Sequence, residues 1–407
     1  MIFDANGWRL ARVLRGLAVC AGLALTACAG SGIDLDVFSS KPPLGQPLAP
    51  PPAEEGAPPP APGGPVVRVG LVLPLSAKGN AGTVALSMRN AAELALAEFG
   101  NAGIQLIVKD DAGTAPGAQA AVQAAIGEGA VIVLGPLFSH TVAAAGQTAR
   151  SRGVPLIAFS TDANVAARGV YLLSFLPESD VDRMVSFAIS RGKRSFVAVL
   201  PDSAYGSVVE AQFQQVVSAR GGRVIAIEKY SSEKAKLAEP ARRAAAASRQ
   251  ADSLFFADAG DTTPSLVQAL AANGVKNPQP QFMGTGLWDD AALFANPALA
   301  GAWFAAPDAA GYRAFAQRYR ARYGRDPVRT ASLAYDGVSL VASLVRAGGG
   351  RISDDMLTNP SGFSGIDGVF RFRPDGTCER GLAVMEIGGG SARIISPAPR
   401  AFSAANL

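Results

Sequence analysis

The sequence predicts an α/β protein of two similar lobes, each built on a parallel sheet flanked by helices. Three observations carry that prediction. Short β-branched runs alternate with helical patterns from Val66 onward, and the alternation restarts near Phe196. The chain is also long and apolar enough for two cores, with 49% hydrophobic residues in 407. Val67 to Leu73 (VRVGLVL), Ile104 to Asp110, Val131 to Leu134 and Pro155 to Phe159 each suit a buried strand. Between the first two, Val84, Met88, Ala91, Ala95 and Phe99 share one face of a helix. Ala115 to Glu128 and Thr141 to Arg152 supply the next two helices. Such alternation requires right-handed crossovers and therefore parallel strands.

The second unit has strands at Phe196 to Leu200, Val224 to Tyr230, Ser253 to Ala257 and Gln281 to Gly284. Helices fall between them near Gly206 to Ala219, Leu237 to Arg249 and Thr263 to Asn273. Tyr312 to Tyr323 and Ala331 to Ala347 read as two long helices, the first with an aromatic stripe (Tyr312, Phe315, Tyr319, Tyr323) expected to pack against the sheet. Gly368 to Arg373, the turn Pro374-Asp375-Gly376 and Leu382 to Ile387 read as a hairpin. A chain that returns to helices and a hairpin after both sheets crosses between lobes more than once, which creates a hinge. The expected division is 66–178 and 306–375 for the first lobe, 179–305 and 376–400 for the second, and 401–407 as a tail.

Ahead of the lobes, Arg9, Arg12 and Arg15 precede Gly16 to Thr26 (GLAVCAGLALT), an apolar run too short to span a bilayer as a helix. It reads as an export signal over residues 1–27. The run closes in Leu25-Thr26-Ala27-Cys28, which resembles a bacterial lipobox, so Cys28 would be the lipid-bearing first residue of the mature chain. An ordinary cleavable signal with a chance cysteine is the alternative. Ala29 stands where an aspartate would suggest inner-membrane retention, which favours a periplasm-facing outer-membrane lipoprotein. Residues 28–65 carry eleven prolines between Lys41 and Pro65 and no periodic apolar pattern. Such a segment cannot bury enough surface to offset its ordering entropy. At about 3.1 Å per residue in polyproline II, it would hold a domain on the order of 100 Å from its lipid.

A net charge of +4, part of it from the leader arginines, is too weak and scattered for nucleic-acid binding. Three Cys and one His exclude a multi-ligand Cys/His zinc centre and a disulfide scaffold. No G-x-S-x-G elbow, Walker-type P-loop or H-E-x-x-H occurs, and no cofactor or metal is implied. Ser139 and His140 are adjacent on a turn, where nucleophile and base seldom meet with a third group to orient the base. Asp110-Asp111 ends a strand and could invite a metal, a loop-solvated pair being the commoner arrangement. Cys378 beside the hairpin turn reads as a bystander. A non-enzymatic protein is expected.

Ligands of open parallel sheets bind beyond the carboxyl ends of the strands, where helix N-termini present free N–H groups. Four loops carry polar residues there: Ser76 after the first strand, Ser139 after the third, Ser160-Thr161 after the fourth, and Tyr205 after the first strand of the second unit. Ser139 is placed to cap the helix beginning near Thr141 and to hold a carboxylate. A plain helix cap explains Ser139, Ser160 and Thr161 singly, but their recurrence at equivalent strand ends of one sheet suggests a shared cleft. Tyr205 could close from the opposite lobe, or be an ordinary rim tyrosine. Asp258 and Asp261, and Trp288 after Gly284, are further candidates from the second sheet, each of which solvation or packing would also explain.

These residues resemble the leucine-binding-protein family, the type I periplasmic-binding fold, from about Val67 to Ile387. The resemblance rests on VRVGLVLPLS, VLGPLFS, GVPLIAFST, LPDSAYG, QFMGTG, LAYDGVSLV and GVFRFRPDG in that order. It implies two lobes joined by three crossovers that close over a small polar ligand, an ABC permease as partner, and a periplasmic location. It also implies that Ser139 holds an amino acid's carboxylate, that Ser160 and Thr161 form the next ligand loop, and that Tyr205 is the closing aromatic. Two positions depart from the family pattern. Thr285-Gly286 stands where amino-acid binders place an acid for the ligand's ammonium, and Ala259 stands where they place a tyrosine. The lipobox, the Pro-rich segment, GPLFS and AFST are also similar to penicillin-binding-protein activators, whose partner is a peptidoglycan synthase.

Overall fold

The computed structural model describes residues 66–99, 103–231, 236–258, 262–348 and 350–402. The signal, Cys28 and the Pro-rich segment to residue 65 lie outside the described residues, as do Ala259, Asp261 and residues 403–407.

The first lobe alternates β1 (Val67–Leu73), α1 (Asn80–Glu98), β2 (Ile104–Asp110), α2 (Ala115–Gly127), β3 (Ala130–Leu134), α3 (Ser139–Ser151), β4 (Leu156–Ala158) and β5 (Val170–Leu172). Its five strands run parallel in the order β2-β1-β3-β4-β5. Ladder carbonyls and amides satisfy one another, which lets a central strand such as β1 bury Val69, Leu71 and Leu73 almost completely.

The chain then enters the second lobe through α4 (Pro177–Ser190). There follow β6 (Ser195–Pro201), α5 (Ala204–Ala219), β7 (Arg223–Tyr230), α6 (Ala238–Ser248), β8 (Ser253–Phe256), α7 (Thr263–Ala272), β9 (Gln281–Gly284), α8 (Ala291–Phe294) and β10 (Trp303–Ala306). It returns to the first lobe with α9 (Ala309–Tyr323), α10 (Ala331–Gly348), α11 (Asp354–Leu357) and a small antiparallel sheet of β11 (Phe363–Gly365), β12 (Gly368–Phe372) and β13 (Cys378–Arg380). It leaves again for β14 (Ala383–Gly388) and β15 (Ser391–Ser396). The second sheet is ordered β15-β14-β10-β9-β8-β6-β7, with β14 antiparallel to both of its neighbours and the other pairs parallel. Three passages therefore join the lobes, near Leu173–Leu176, Pro307–Asp308 and Gly381–Leu382.

Cores follow the same division. One cluster joins β1, β3 and β4 to α9, α10, Phe370, Phe372 and Cys378; two others cover the faces of the second sheet.

Three sequence expectations are corrected. The hairpin from Gly368 closes on Cys378–Arg380, with Phe370 opposite Arg380 and Phe372 opposite Cys378. Residues 383–388 instead pair with β10 in the other sheet, because Ala383, Val384 and Ile387 are buried in the second lobe's cores. The α9 aromatic stripe packs against helices rather than the sheet. Tyr319 hydroxyl meets Ser87 (3.2 Å) and Asn90 (3.1 Å) of α1, and the Phe315 ring lies 5.5 Å from Tyr335 of α10. Asp111 is not solvated. It is fully buried, accepts from Gly113 N–H at 2.8 Å, and its other oxygen has no hydrogen-bond partner among the described residues, so burial pushes its carboxyl up.

Candidate functional site

Strands β1, β3 and β4 are neighbours, so the loops leaving their carboxyl ends share one edge of the first sheet. That edge brings together Ser76, Ser139, Ser160 and Thr161. Ser76 is exposed and its N–H donates to Asp110 Oδ1 at 3.2 Å, which fixes the loop above β1. The same carboxylate accepts from Ala112 N–H at 2.9 Å; these bonds hold it below its usual range although burial opposes them.

At the next loop the chain turns through Gly135, whose φ is +95° and whose hypothetical Cβ would stand 1.9 Å from Val72 O. No side chain fits, and the turn aims α3 at the edge. Ser139 is the first residue of α3, not its cap: Phe138 occupies the cap position and no side chain caps the helix. Thr141 Oγ1 donates to Phe138 O at 2.8 Å, and Val142 N–H is the first to bond back to Phe138 O. The Ser139 hydroxyl thus stands half-buried beside the unspent N–H groups of a thirteen-residue helix, a local positive end. Ser160 is buried and its Oγ accepts from Asp162 N–H at 3.1 Å, leaving its proton free to donate. Thr161 beside it is exposed. His140 Nε2 contacts Gly113 O at 2.9 Å, and the ring stacks on Phe138 at 5.8 Å. It is occupied structurally and is not paired with Ser139.

The second lobe presents the ends of β6, β8 and β9. Ser203 caps α5 by accepting from Gly206 N–H at 3.1 Å, and this seats Tyr205 in the first turn. Tyr205 OH donates to the buried Thr285 at 3.1 Å; burial, chiefly, pushes the phenol up. Asp258, after β8, accepts from Tyr230 OH. Trp288 does not join them. It is fully buried, its ring lies 5.6 Å from Phe256, and a Cβ on Gly284 would sit 2.2 Å from it. It is core beneath the site, and among the described residues its indole N–H has no hydrogen-bond partner.

Sequence reasoning missed two acidic side chains, Asp180 at the Thr285-Gly286 loop and Glu178 within electrostatic reach of it. Gly286 N–H donates to Asp180 Oδ2 at 2.9 Å, and burial pushes this carboxyl up to about 7, with Glu178 adding repulsion. Glu178 has a buried Oε2 with no hydrogen-bond partner among the described residues and is also raised, mainly by burial, within electrostatic reach of Arg373 and Asp162 of the first lobe. Both carboxylates come from the first turn of α4 at a lobe crossing. The only sequence signal was Pro177-Glu178-Ser179-Asp180, a Pro-and-acid helix start. Asp289, past Trp288, is raised by burial and eased by Arg329 and Arg313 of the first lobe. Among the described residues no group of three His, Cys, Asp or Glu could hold a metal ion.

Two hinged α/β lobes with polar strand ends define the class of two-lobed binding proteins. The chain belongs to the periplasmic binding protein family, whose model matches residues 66–392. Leucine-binding-protein-like members are among its structural relatives, and the family is one of binding proteins of the periplasm. An ABC transporter substrate-binding protein from Sphaerobacter thermophilus is similar at TM-score 0.65 and 19% identity, over 81% of this chain and 96% of that one. A streptococcal branched-chain amino acid binding protein (Streptococcus pneumoniae), solved in complex with isoleucine, is similar at TM-score 0.55 and 19% identity, over 82% and 100%. A solute-binding protein of R. palustris, solved in complex with benzoate, is similar at 0.56 and 21%, over 84% and 98%. None of the curated proteins matches in sequence.

Proposed function

We propose that this chain is a non-enzymatic solute receptor that captures a small carboxylate-bearing, amino-acid-like ligand between its lobes and presents it to an ABC permease. The observation that carries the reading is the uncapped N-terminus of α3, where Ser139 keeps a free hydroxyl beside free N–H groups. Ser76, Ser160 and Thr161 complete the anionic end, and Tyr205 and Asp258 close from the second lobe. Isoleucine and benzoate, the ligands of two similar proteins, both carry a carboxylate, which supports this assignment. Glu178 and Asp180 supply acid beside Thr285-Gly286, where the family's usual acid is missing, so an amine on the ligand has a partner. Closure about the hinge then buries the ligand, and the closed population is the one a permease would read.

A thermal-shift screen of amino acids, their deaminated analogues and aromatic acids tests this. At 100 times its dissociation constant a ligand adds about 2.7 kcal/mol. A shift with a carboxylate ligand, lost in Ser139→Ala, supports the receptor. Silence across the panel would sink it.

In the same reading Cys28 carries the lipid, residues 28–65 space the domain from the membrane, and Ala29 directs the protein to the outer membrane. That lipobox and spacer favour one second reading, a regulator that contacts a peptidoglycan synthase through its lobe surfaces. Crosslinking to a synthase together with a silent ligand screen would support it over the receptor.

A further inference from the structure

Three crossovers join the lobes, and a fourth stretch of chain passes between them after the last strand. Pro397 to Phe402 leaves β15 in the second lobe and ends on the small sheet of the first. Its start is held by Arg183 of α4. The guanidinium Nη2 donates to Ser396 Oγ at 2.8 Å and to Pro397 O at 3.2 Å, and Nε donates to Leu382 O at 2.8 Å, in the third crossover. Midway, Pro399 lies against Gly381 of that crossover, where an added Cβ would come within 2.9 Å of the proline ring. At its end the Phe402 ring covers the Arg371 guanidinium at 4.5 Å. Gly362 admits the ring from the other side, since a Cβ there would stand 2.8 Å from it, and its φ of +72° suits glycine. Arg371 is itself fixed, buried in β12, paired with Glu379 at 2.9 Å and bonded to Pro360 O at 3.2 Å.

Each lobe therefore grips this segment through a guanidinium: Arg183 of the second lobe holds its start, and Arg371 of the first stacks on its terminal ring, Phe402. A segment anchored on both sides of a hinge limits how far the two can part. We infer that Pro397–Phe402 is a strap bracing the hinge: docked on Arg371 it restricts lobe opening, and released at Phe402 it widens it. The strap sets the fraction of protein in the narrow form, and so the apparent affinity of any cleft ligand. It stands whether or not the receptor reading holds, because it needs no ligand.

Amide hydrogen exchange on the full chain, without ligand, tests it with Phe402→Ala and Phe402→Trp. The informative peptides span residues 172–180 and 303–312, the two crossovers that the segment does not touch. Phe402→Ala should accelerate exchange there roughly three- to thirtyfold, the range expected for losing a cation–π anchor. Amides of β1 and β6 should keep their protection, and Phe402→Trp should behave as the parent. Acceleration confined to residues 360–372 would mean that Phe402 only covers its own neighbours, and would overturn the strap. No acceleration, or one spread evenly into β1 and β6, would overturn it as well.

Discussion

Ser139 begins a helix without capping it, and that separates its energetic role from its proposed chemical one. Because no cap bond is lost, Ser139→Ala should leave stability within about 0.5 kcal/mol of the parent in denaturant unfolding while removing the ligand-induced shift. Trp288 is the converse case. Its indole fills the second lobe's core against Phe256 and Gly284, so Trp288→Ala should cost about 3–5 kcal/mol, read as a fall in unfolding midpoint. Asp180 and Asp336 give the protein a pH dependence. Burial lifts both to about 7, against 3.8 ordinarily, with Asp336 further raised by Asp367 and eased by Arg380. The native state therefore holds two protons that the unfolded chain has already released over that interval. The stability these groups contribute is complete below about pH 4 and is lost as the pH rises to about 7. Unfolding midpoints should fall across that window, and Asp180→Asn should flatten part of the fall. A midpoint that rises with pH there, unaltered by the substitution, would contradict the assignment. The serines were legible because a polar residue after a buried strand run marks a strand end. Trp288 misled because the same position on a loop is compatible with packing, and only contacts decide. Asp180 was illegible because its partner Gly286 is more than a hundred residues away in sequence, and Glu178 because only the fold buries it.

Among the elements, three strands were legible to the residue, Val67–Leu73 and Ile104–Asp110 from their Val, Ile and Leu content and Gln281–Gly284 as a short apolar run closed by glycine. Shorter or mixed segments were not. Val170–Leu172 and Trp303–Ala306 are only three and four residues long, and α4 carries four charged residues among its fourteen, so neither period stands out. The hairpin was mispaired because Cys378–Arg380 and Ala383–Gly388 lie close in sequence and either could oppose β12. The two residues between them, Gly381-Leu382, send one strand to each lobe. Local geometry at the β3–α3 junction gives a further prediction. Gly135→Ala forces a Cβ into Val72 O at positive φ and should destabilise by at least about 2 kcal/mol, seen as a lower melting temperature. A neutral substitution there would mean that the turn is not constrained as described.

At the scale of the molecule, the hinge is a place of stacked cations. Phe175, in the first crossover, lies 4.6 Å from the Arg329 guanidinium and 4.7 Å from that of Arg380, which also donates to Ser174 O at 2.9 Å. Arg329 pairs with the buried Asp367 at 2.6 Å, and its charge reaches Asp289 of the second lobe. Such a junction adds directional, charged contacts to the buried leucines of the crossovers, Leu173, Leu176 and Leu382. The division into two lobes was readable from the restart of the strand–helix pattern. The hinge contacts were not, because Phe175, Arg329 and Arg380 come from widely separated stretches of the chain. Small-angle X-ray scattering of the full chain, titrated with whichever carboxylate ligand most raises its melting temperature, tests the receptor account most directly. The account predicts a smaller radius of gyration at saturation, absent in Ser139→Ala. A ligand that binds with no compaction, or that compacts Ser139→Ala equally, would contradict it.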